Sequence, residues 1–399
     1  MLNFQYCSPT KLIFGKGEEA NVGTYLKDYG ATKVMILTYG TGLPHETKLI
    51  ETVKKSLEEA GLEYVVFDRI KPNPSLIRSI ECAEEVKRQG IDFMLPVGGG
   101  SVIDTAKYAA VQALYEGDFW RDCFERKDLP LPTKSIPVGS ILTICGAGAE
   151  GSEAALIHDD RESGNKLGVD ADVLRPQFAI LDPELTYTLP PYQTACGIAD
   201  MFCHVEESYF THIDDGMFMT EYIEVMMRTI IKYAEIVMKD PTNYLARAQL
   251  MLMGTVGNLH FTWCGRIDDG AIHFIQEPIA AKYDSAHGHC IAAITIGWLR
   301  YCNQVEPQRF VRYFNRVWNV PVDELHPDEV IAAGIEKQRA FYHMLGLDTC
   351  LEAVGYKKED AEWLAEHADK KRTTGTTGNY VVFTKEMIME LFDMCDHRE

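Results

Sequence analysis

The chain contains no Cys-x-x-Cys pair, no long apolar run and no excess of positive charge, and each absence excludes a class of protein. Its 11 cysteines are odd in number and scattered, which suits neither a disulfide framework nor a zinc knuckle. Reduced thiols in a reducing compartment are the expectation. The opening MLNFQYCSPTKLIFG lacks the charged-then-apolar plan of a signal peptide. The run CIAAITIGWL has about ten residues where a bilayer span needs about 20. A cytoplasmic location with no membrane association is therefore expected. Asp and Glu number 59 against 39 Lys and Arg, a formal net charge of -20. A surface this acidic repels phosphate backbones and anionic lipids, so no nucleic-acid partner is expected. Gly-x-Ser-x-Gly is also missing, and nothing local supports a serine or cysteine nucleophile.

What is present is a 399-residue chain, 46% hydrophobic and 25% charged, long enough for two domains. The first half alternates strand and helix signals. KVMILTY (33–39), EYVVFD (63–68) and DFMLPVG (92–98) read as strands. LIETVKKSLEEAG (49–61), SLIRSIECAEEVKRQG (75–90) and VIDTAKYAAVQALYEG (102–117) read as helices. Nearly continuous apolar strands imply a parallel sheet covered on both faces. Beyond about residue 185 the pattern turns helical, as in 220–239 and 241–262, with the joint expected near LDPELTYTLPPYQTA (181–195). The expected fold is an α/β dinucleotide-binding domain with a Rossmann-like sheet over 1–184. An all-α metal-binding domain follows over 185–399.

Gly98-Gly99-Gly100-Ser101 follows a predicted strand and opens a predicted helix. Without side chains the backbone can approach a pyrophosphate, and a helix N-terminus offers N–H groups and partial positive charge. The turn does not spell Gly-x-Gly-x-x-Gly, so a tight connection without a ligand stays open at this point. A second small-residue turn, Tyr39-Gly40-Thr41-Gly42, belongs on the same sheet edge. An acidic residue often stands there to hold a ribose 2′-hydroxyl. Gly40 removes that carboxylate and leaves room for a 2′-phosphate, which favours NADP(H) over NAD(H), although no arginine is adjacent.

Asp200 and His204 are four residues apart and share a face if GIADMFCHVEESYF is helical. A carboxylate and an imidazole at that spacing can grip one divalent ion, and a simple surface pair reads the same way. His273 and His287, with His289 just after, lie in a mostly apolar stretch where inward-facing histidines serve a purpose or are core. One Asp and three His suit Fe²⁺ or Zn²⁺, and spacing does not separate the two. His260 reads as core; His45, His158, His343, His367 and His397 read as solvated.

The chain resembles the iron-containing (group III) alcohol dehydrogenases, in their butanol dehydrogenase-like branch. The resemblance is carried by IFGKG (13–17), PNPS (72–75), GGGSVIDTAK (98–107) and GSILTICGAGAE (139–150). It continues through LDPELTYTLP (181–190), GIADMFCH (197–204) and the IH…AHG segment (272–288). It implies a metal held by Asp200, His204, His273 and His287. It also implies a nicotinamide cofactor touching Gly40, Gly98, Gly99, Gly100, Ser101, Asp104, Thr143, Lys166 and Leu189. Glycine at 40 goes with NADP use, while Leu43 and His45 replace the Ser and Lys frequent in NADP-using relatives. A homodimer is the assembly the family suggests.

There are two departures. Glu277 stands where many members carry a proton-relay histidine, and could act as relay, fifth ligand or polar wall. RIDDG (266–270) replaces a tryptophan-containing segment and is expected to reshape the substrate pocket. The implied activity is interconversion of a small aldehyde and a primary alcohol with NAD(P)(H). Two alternatives stay open: a lyase of the dehydroquinate synthase type, and a relative that binds metal and nucleotide with little turnover.

Overall fold

The structure, a computed structural model, describes residues 1–126, 129–214, 216–322, 326–370 and 374–398. The chain divides into two compact units: Cys7–Leu189, and Pro190–Glu399 together with Met1–Tyr6.

The first unit holds β1 (Lys11–Phe14), α1 (Val22–Asp28), β2 (Lys33–Leu37), α2 (Pro44–Glu59), β3 (Glu63–Phe67), α3 (Leu76–Gln89), β4 (Phe93–Gly98) and α4 (Gly100–Gln112). β5 (Gly139–Leu142), β6 (Ala154–His158), β7 (Lys166–Asp170) and β8 (Phe178–Leu181) follow. Six strands form one parallel sheet in the order β1-β8-β5-β4-β2-β3. Alternate residues of β2 serve opposite faces. Val34 and Ile36 pack with Leu49, Val53 and Leu57 of α2, while Met35 and Leu37 pack with Cys82 and Val86 of α3 and Ala106 of α4. Both faces are thus dry, which is why the strands read as unbroken apolar runs.

Local signals set the helix ends. Ser75 caps α3 by accepting from the Arg78 amide, and Gly90 closes it at φ 65°. α2 begins at Pro44, earlier than its periodicity predicts, with proline in the first turn. α4 stops at Gln112 rather than running to 117. There the Gln112 side chain donates to Gly117 O and accepts from Phe119 N, tying the chain into a turn. β1, β5 and β8 have four residues each and carry no usable period. β6 and β7 form a separate antiparallel hairpin.

The second unit is helical. α5 (Pro191–Tyr209) is followed by α6 (Phe218–Lys239), α7 (Tyr244–Gly257), α8 (Ala271–Tyr283) and α9 (His287–Cys302). α10 (Pro307–Trp318), α11 (Pro327–Met344), α12 (Ala361–Glu366) and α13 (Lys385–Met394) complete it. The single helix expected over 241–262 is shorter: Asn243 caps α7, which ends at Gly257, and His260 turns left-handed at φ 60°. His260 is buried, with its ring stacked 3.4 Å from that of Trp263. No described helix is long and apolar enough to cross a membrane.

Candidate metal centre

α5 lies at the middle of the helical unit, and Ile198 through Phe210 is buried almost throughout apart from His204. Its spacing puts Asp200 and His204 on one face. α9 can approach that face closely because Gly288 has no side chain. A Cβ there would stand 2.0 Å from Cys196 O. His287 opens α9, and α8 supplies His273.

These side chains converge on one oxygen. Asp200 Oδ1 lies 3.3 Å from His204 Nε2, 3.4 Å from His273 Nε2 and 3.4 Å from His287 Nε2. Bonds of about 2.0–2.1 Å to a tetrahedral ion put neighbouring ligand atoms about 3.3–3.4 Å apart. The three separations match that edge, so the donor set fits a divalent ion. Asp200, His204 and His273 form the tight trio, with ligand atoms all within 4.8 Å of one another. His287 joins through the shared Asp200 oxygen. Burial alone would raise the Asp200 pKa, but His287, His204 and His273 hold it well below the usual carboxylate range. Burial and the neighbouring His273 lower that of His204.

Two residues behind these four side chains escaped the sequence reading. Glu207 Oε2 meets His273 Nδ1 at 2.6 Å. An Nδ1–H given to Glu207 leaves the Nε2 lone pair facing Asp200, the tautomer a ligand needs. Burial opposes charge on His273, yet Glu207 and its other partners raise its pKa well above the ordinary value. Gln276, fully buried, places Nε2 2.8 Å from His287 Nδ1 and 3.0 Å from His273 O, while its Oε1 is buried with no hydrogen-bond partner. Both were visible as polar residues in apolar helical stretches: Glu207 three after His204, Gln276 three after His273. A second trio, Cys203, Glu207 and His273, also lies within 4.8 Å. There burial holds the Cys203 thiol neutral, with its pKa far above the ordinary value.

Glu277 follows one turn after His273 on α8 and is 2% exposed. The RIDDG stretch serves packing. Arg266 donates to Ser208 O and Thr220 Oγ1, and Asp269 accepts from Trp298 Nε1 and the Asn379 and Tyr380 amides. His289, half-buried, bonds Tyr192 Oη and Asp348 O. Of the histidines read as solvated, His45, His343 and His397 are exposed. His158 and His367 are half-buried, His158 within β6 and His367 stacked on Trp363.

In the α/β unit, Gly98 to Ser101 form the junction of β4 and α4, whose first residues have no side-chain cap. A Cβ at Gly98 would meet Val102 Cγ2 at 2.5 Å, and one at Gly99 would meet Tyr39 Oη at 3.0 Å. Space is thus tightest at Gly98 and Gly99, and the cradle offers bare backbone at a helix N-terminus, which fits a pyrophosphate. The Thr143 amide bonds Gly98 O, bringing the end of β5 alongside. Asp104 and Lys166 lie toward the β6–β7 hairpin: Asp104 Oδ2 accepts from the Leu156 amide, and Lys166 Nζ reaches Asn73. Leu189 closes a turn onto Thr186 O. Gly40 ends β2 on the same sheet edge, but its turn is not free of carboxylate, because Glu46 folds onto it.

Residues 9–183 match the family described as iron-containing alcohol dehydrogenase, and residues 194–395 match its C-terminal domain family. The chain is 32% identical over 393 residues to NADH-dependent butanol dehydrogenase A of Clostridium acetobutylicum, covering 98% of this chain and 99% of that one. It is 30% identical to the NADPH-dependent aldehyde reductase YqhD of Escherichia coli, covering 89% and 90%. The crystal structure of NADH-dependent butanol dehydrogenase A from Thermotoga maritima superposes with a TM-score of 0.93 at 31% identity, covering 99% of this chain and 98% of that one.

Proposed function

The chain belongs to the iron-containing alcohol dehydrogenase family and is a metal-dependent alcohol and aldehyde oxidoreductase using NAD(P)(H), and we propose that Asp200, His204, His273 and His287 hold its ion and that Glu277 handles the proton. The observation that supports this most is the meeting of three imidazole Nε2 atoms on Asp200 Oδ1 at 3.3–3.4 Å. Bound there, Fe²⁺ or Zn²⁺ lends Lewis acidity to a substrate oxygen while the nicotinamide carries hydride.

The chain's own groups do the rest. Asp200 contributes the negative charge of the donor set. Glu207 fixes the His273 tautomer. Glu277, a carboxyl in a dry helix one turn from a ligand, is positioned to hold or release a proton as the alcohol forms or is oxidised. The substrate is a small aldehyde or primary alcohol, and the working form a cytoplasmic homodimer. Between coenzymes, Glu46 favours NAD(H) by the charge it brings to the Gly40 turn. The lyase alternative finds no support among the relatives.

The test pairs metal analysis with consumption of NADH and NADPH against a panel of short aldehydes. Turnover that falls together with metal content in His287→Ala supports the assignment. Full metal and full rate in that variant removes His287 from the ligand set. Metal and coenzyme binding without turnover in the native chain points to the low-turnover reading, with Glu277 a polar wall.

A further inference from the structure

Glycine at position 40 has two steric causes. Its φ is 68°, and a Cβ there would stand 2.7 Å from Asp68 Cβ and 3.1 Å from the Arg69 amide nitrogen. An aspartate at this position would collide with the end of β3. Glycine is therefore a demand of the turn and says nothing about charge at the site.

The charge arrives from α2. Glu46 Oε1 accepts from Thr38 Oγ1 at 2.6 Å and from Gly40 N at 2.9 Å. Its Oε2 accepts from Thr41 N at 2.7 Å and from Thr41 Oγ1. Burial opposes ionisation of Glu46, but these four bonds win and hold its pKa below the usual glutamate value. Nearby, Arg69 pairs with Asp68 at 3.5 Å, so those two charges offset each other and the carboxylate of Glu46 sets the sign. A phosphate ester at the end of β2 would need the amides of Gly40 and Thr41 and the positive end of α2. Glu46, in the first turn of α2, already occupies both amides. A neutral diol meets no such repulsion.

This turn adjoins the glycine cradle. The Tyr39 ring packs against Gly98 and Gly99, where added Cβ atoms would lie 3.3 Å and 3.0 Å from it, and β2 and β4 are adjacent parallel strands. A dinucleotide with its pyrophosphate at Gly98–Ser101 has its adenosine ribose at the end of β2.

We propose that Glu46 makes this chain select NAD(H) over NADP(H), by fixing a carboxylate where a 2′-phosphate would lie. The NADP(H) preference expected from Gly40 is replaced by its opposite. The proposal rests on the reading of Gly98–Ser101 as the pyrophosphate site.

The test is equilibrium binding to the full chain, followed by nicotinamide fluorescence with NADH and NADPH, and by displacement with ADP and adenosine 2′,5′-bisphosphate. NADH should bind roughly tenfold or more tighter than NADPH, and ADP should displace it better than the bisphosphate. Added salt should narrow the gap by screening. Glu46→Gln should bring NADPH close to NADH, chiefly by tightening NADPH. Equal binding, or tighter NADPH, in the native chain overturns the inference. So does a folded Glu46→Gln protein with an unchanged ratio. If that variant does not fold, the native-chain ratios and their salt dependence decide alone. Failure of all four compounds to bind overturns the pyrophosphate-site reading itself.

Discussion

Glu207 Oε2 lies 2.6 Å from His273 Nδ1, and Glu207 Oε1 takes the Ile272 and His273 amides at 2.7 and 3.3 Å. One buried carboxylate thus caps α8, which has no side-chain cap of its own, and orients His273, a proposed ligand, on it. Glu207→Gln offers an N–H to Nδ1 and favours the wrong tautomer. Metal affinity, measured by chelator competition, should fall about 10–100-fold. Unchanged affinity would show that the contact is packing alone.

Gln276 poses the same question for His287. A metal ligand through Nε2 carries its proton on Nδ1 and needs an acceptor there, yet Gln276 presents Nε2 while Oε1 is unsatisfied. Turning the amide would give a His287 Nδ1–H its acceptor, but at the loss of the bond from Gln276 Nε2 to His273 O. Gln276→Glu, with acceptors only, should bind Zn²⁺ at least as tightly as the native chain, and Gln276→Leu about tenfold more weakly. Three equal affinities would remove Gln276 from the site.

Gly288 lets α9 cross α5 at the ligands, since a Cβ would lie 2.0 Å from the Cys196 carbonyl oxygen. Gly288→Ala should cost on the order of 3 kcal/mol and displace His287. Urea unfolding and metal content should drop together. A variant of native stability with full metal would contradict the close crossing.

Asp104 carries a pH signature. Burial, against the pull of Lys107 and the Leu156 amide, raises its pKa to about 6, whereas the unfolded value is near 4. The folded state binds the proton more tightly, so the stability this group provides is complete below pH about 4 and is lost as pH rises through about 6. Asp104→Asn should flatten the fall in stability over that window, by up to about 1.4 kcal/mol per pH unit. Urea midpoints at several pH values measure it. A steeper fall in the variant would reverse the sign and refute the account.

Much of this was readable locally. Asp200 and His204 are neighbours on any helix, and Gly90, Ser75 and Pro44 mark helix ends by their own backbone chemistry. Two-faced burial was audible in the unbroken apolar runs of β2 and β4. His273 and His287 came forward through their apolar surroundings, and only the resemblance joined them to Asp200 and His204, because no fixed spacing links residues on different helices. Four-residue strands such as β5 and β8 are too short to show a period, and Gln112 ended α4 through contacts that only a closed turn creates.

Pattern and composition thus marked the longer strands and helices, the two halves they form, and the residue types that could hold a metal. Packing alone decided which side chains orient those ligands, because Glu207 and Gln276 act across helix contacts. It also decided the charge beside Gly40. Position 40 is glycine for want of space beside Asp68, and the carboxylate it lacks returns from Glu46 when α2 folds back onto the turn. A local absence in sequence is no absence in space, because a side chain one helical turn into the next element can fill it.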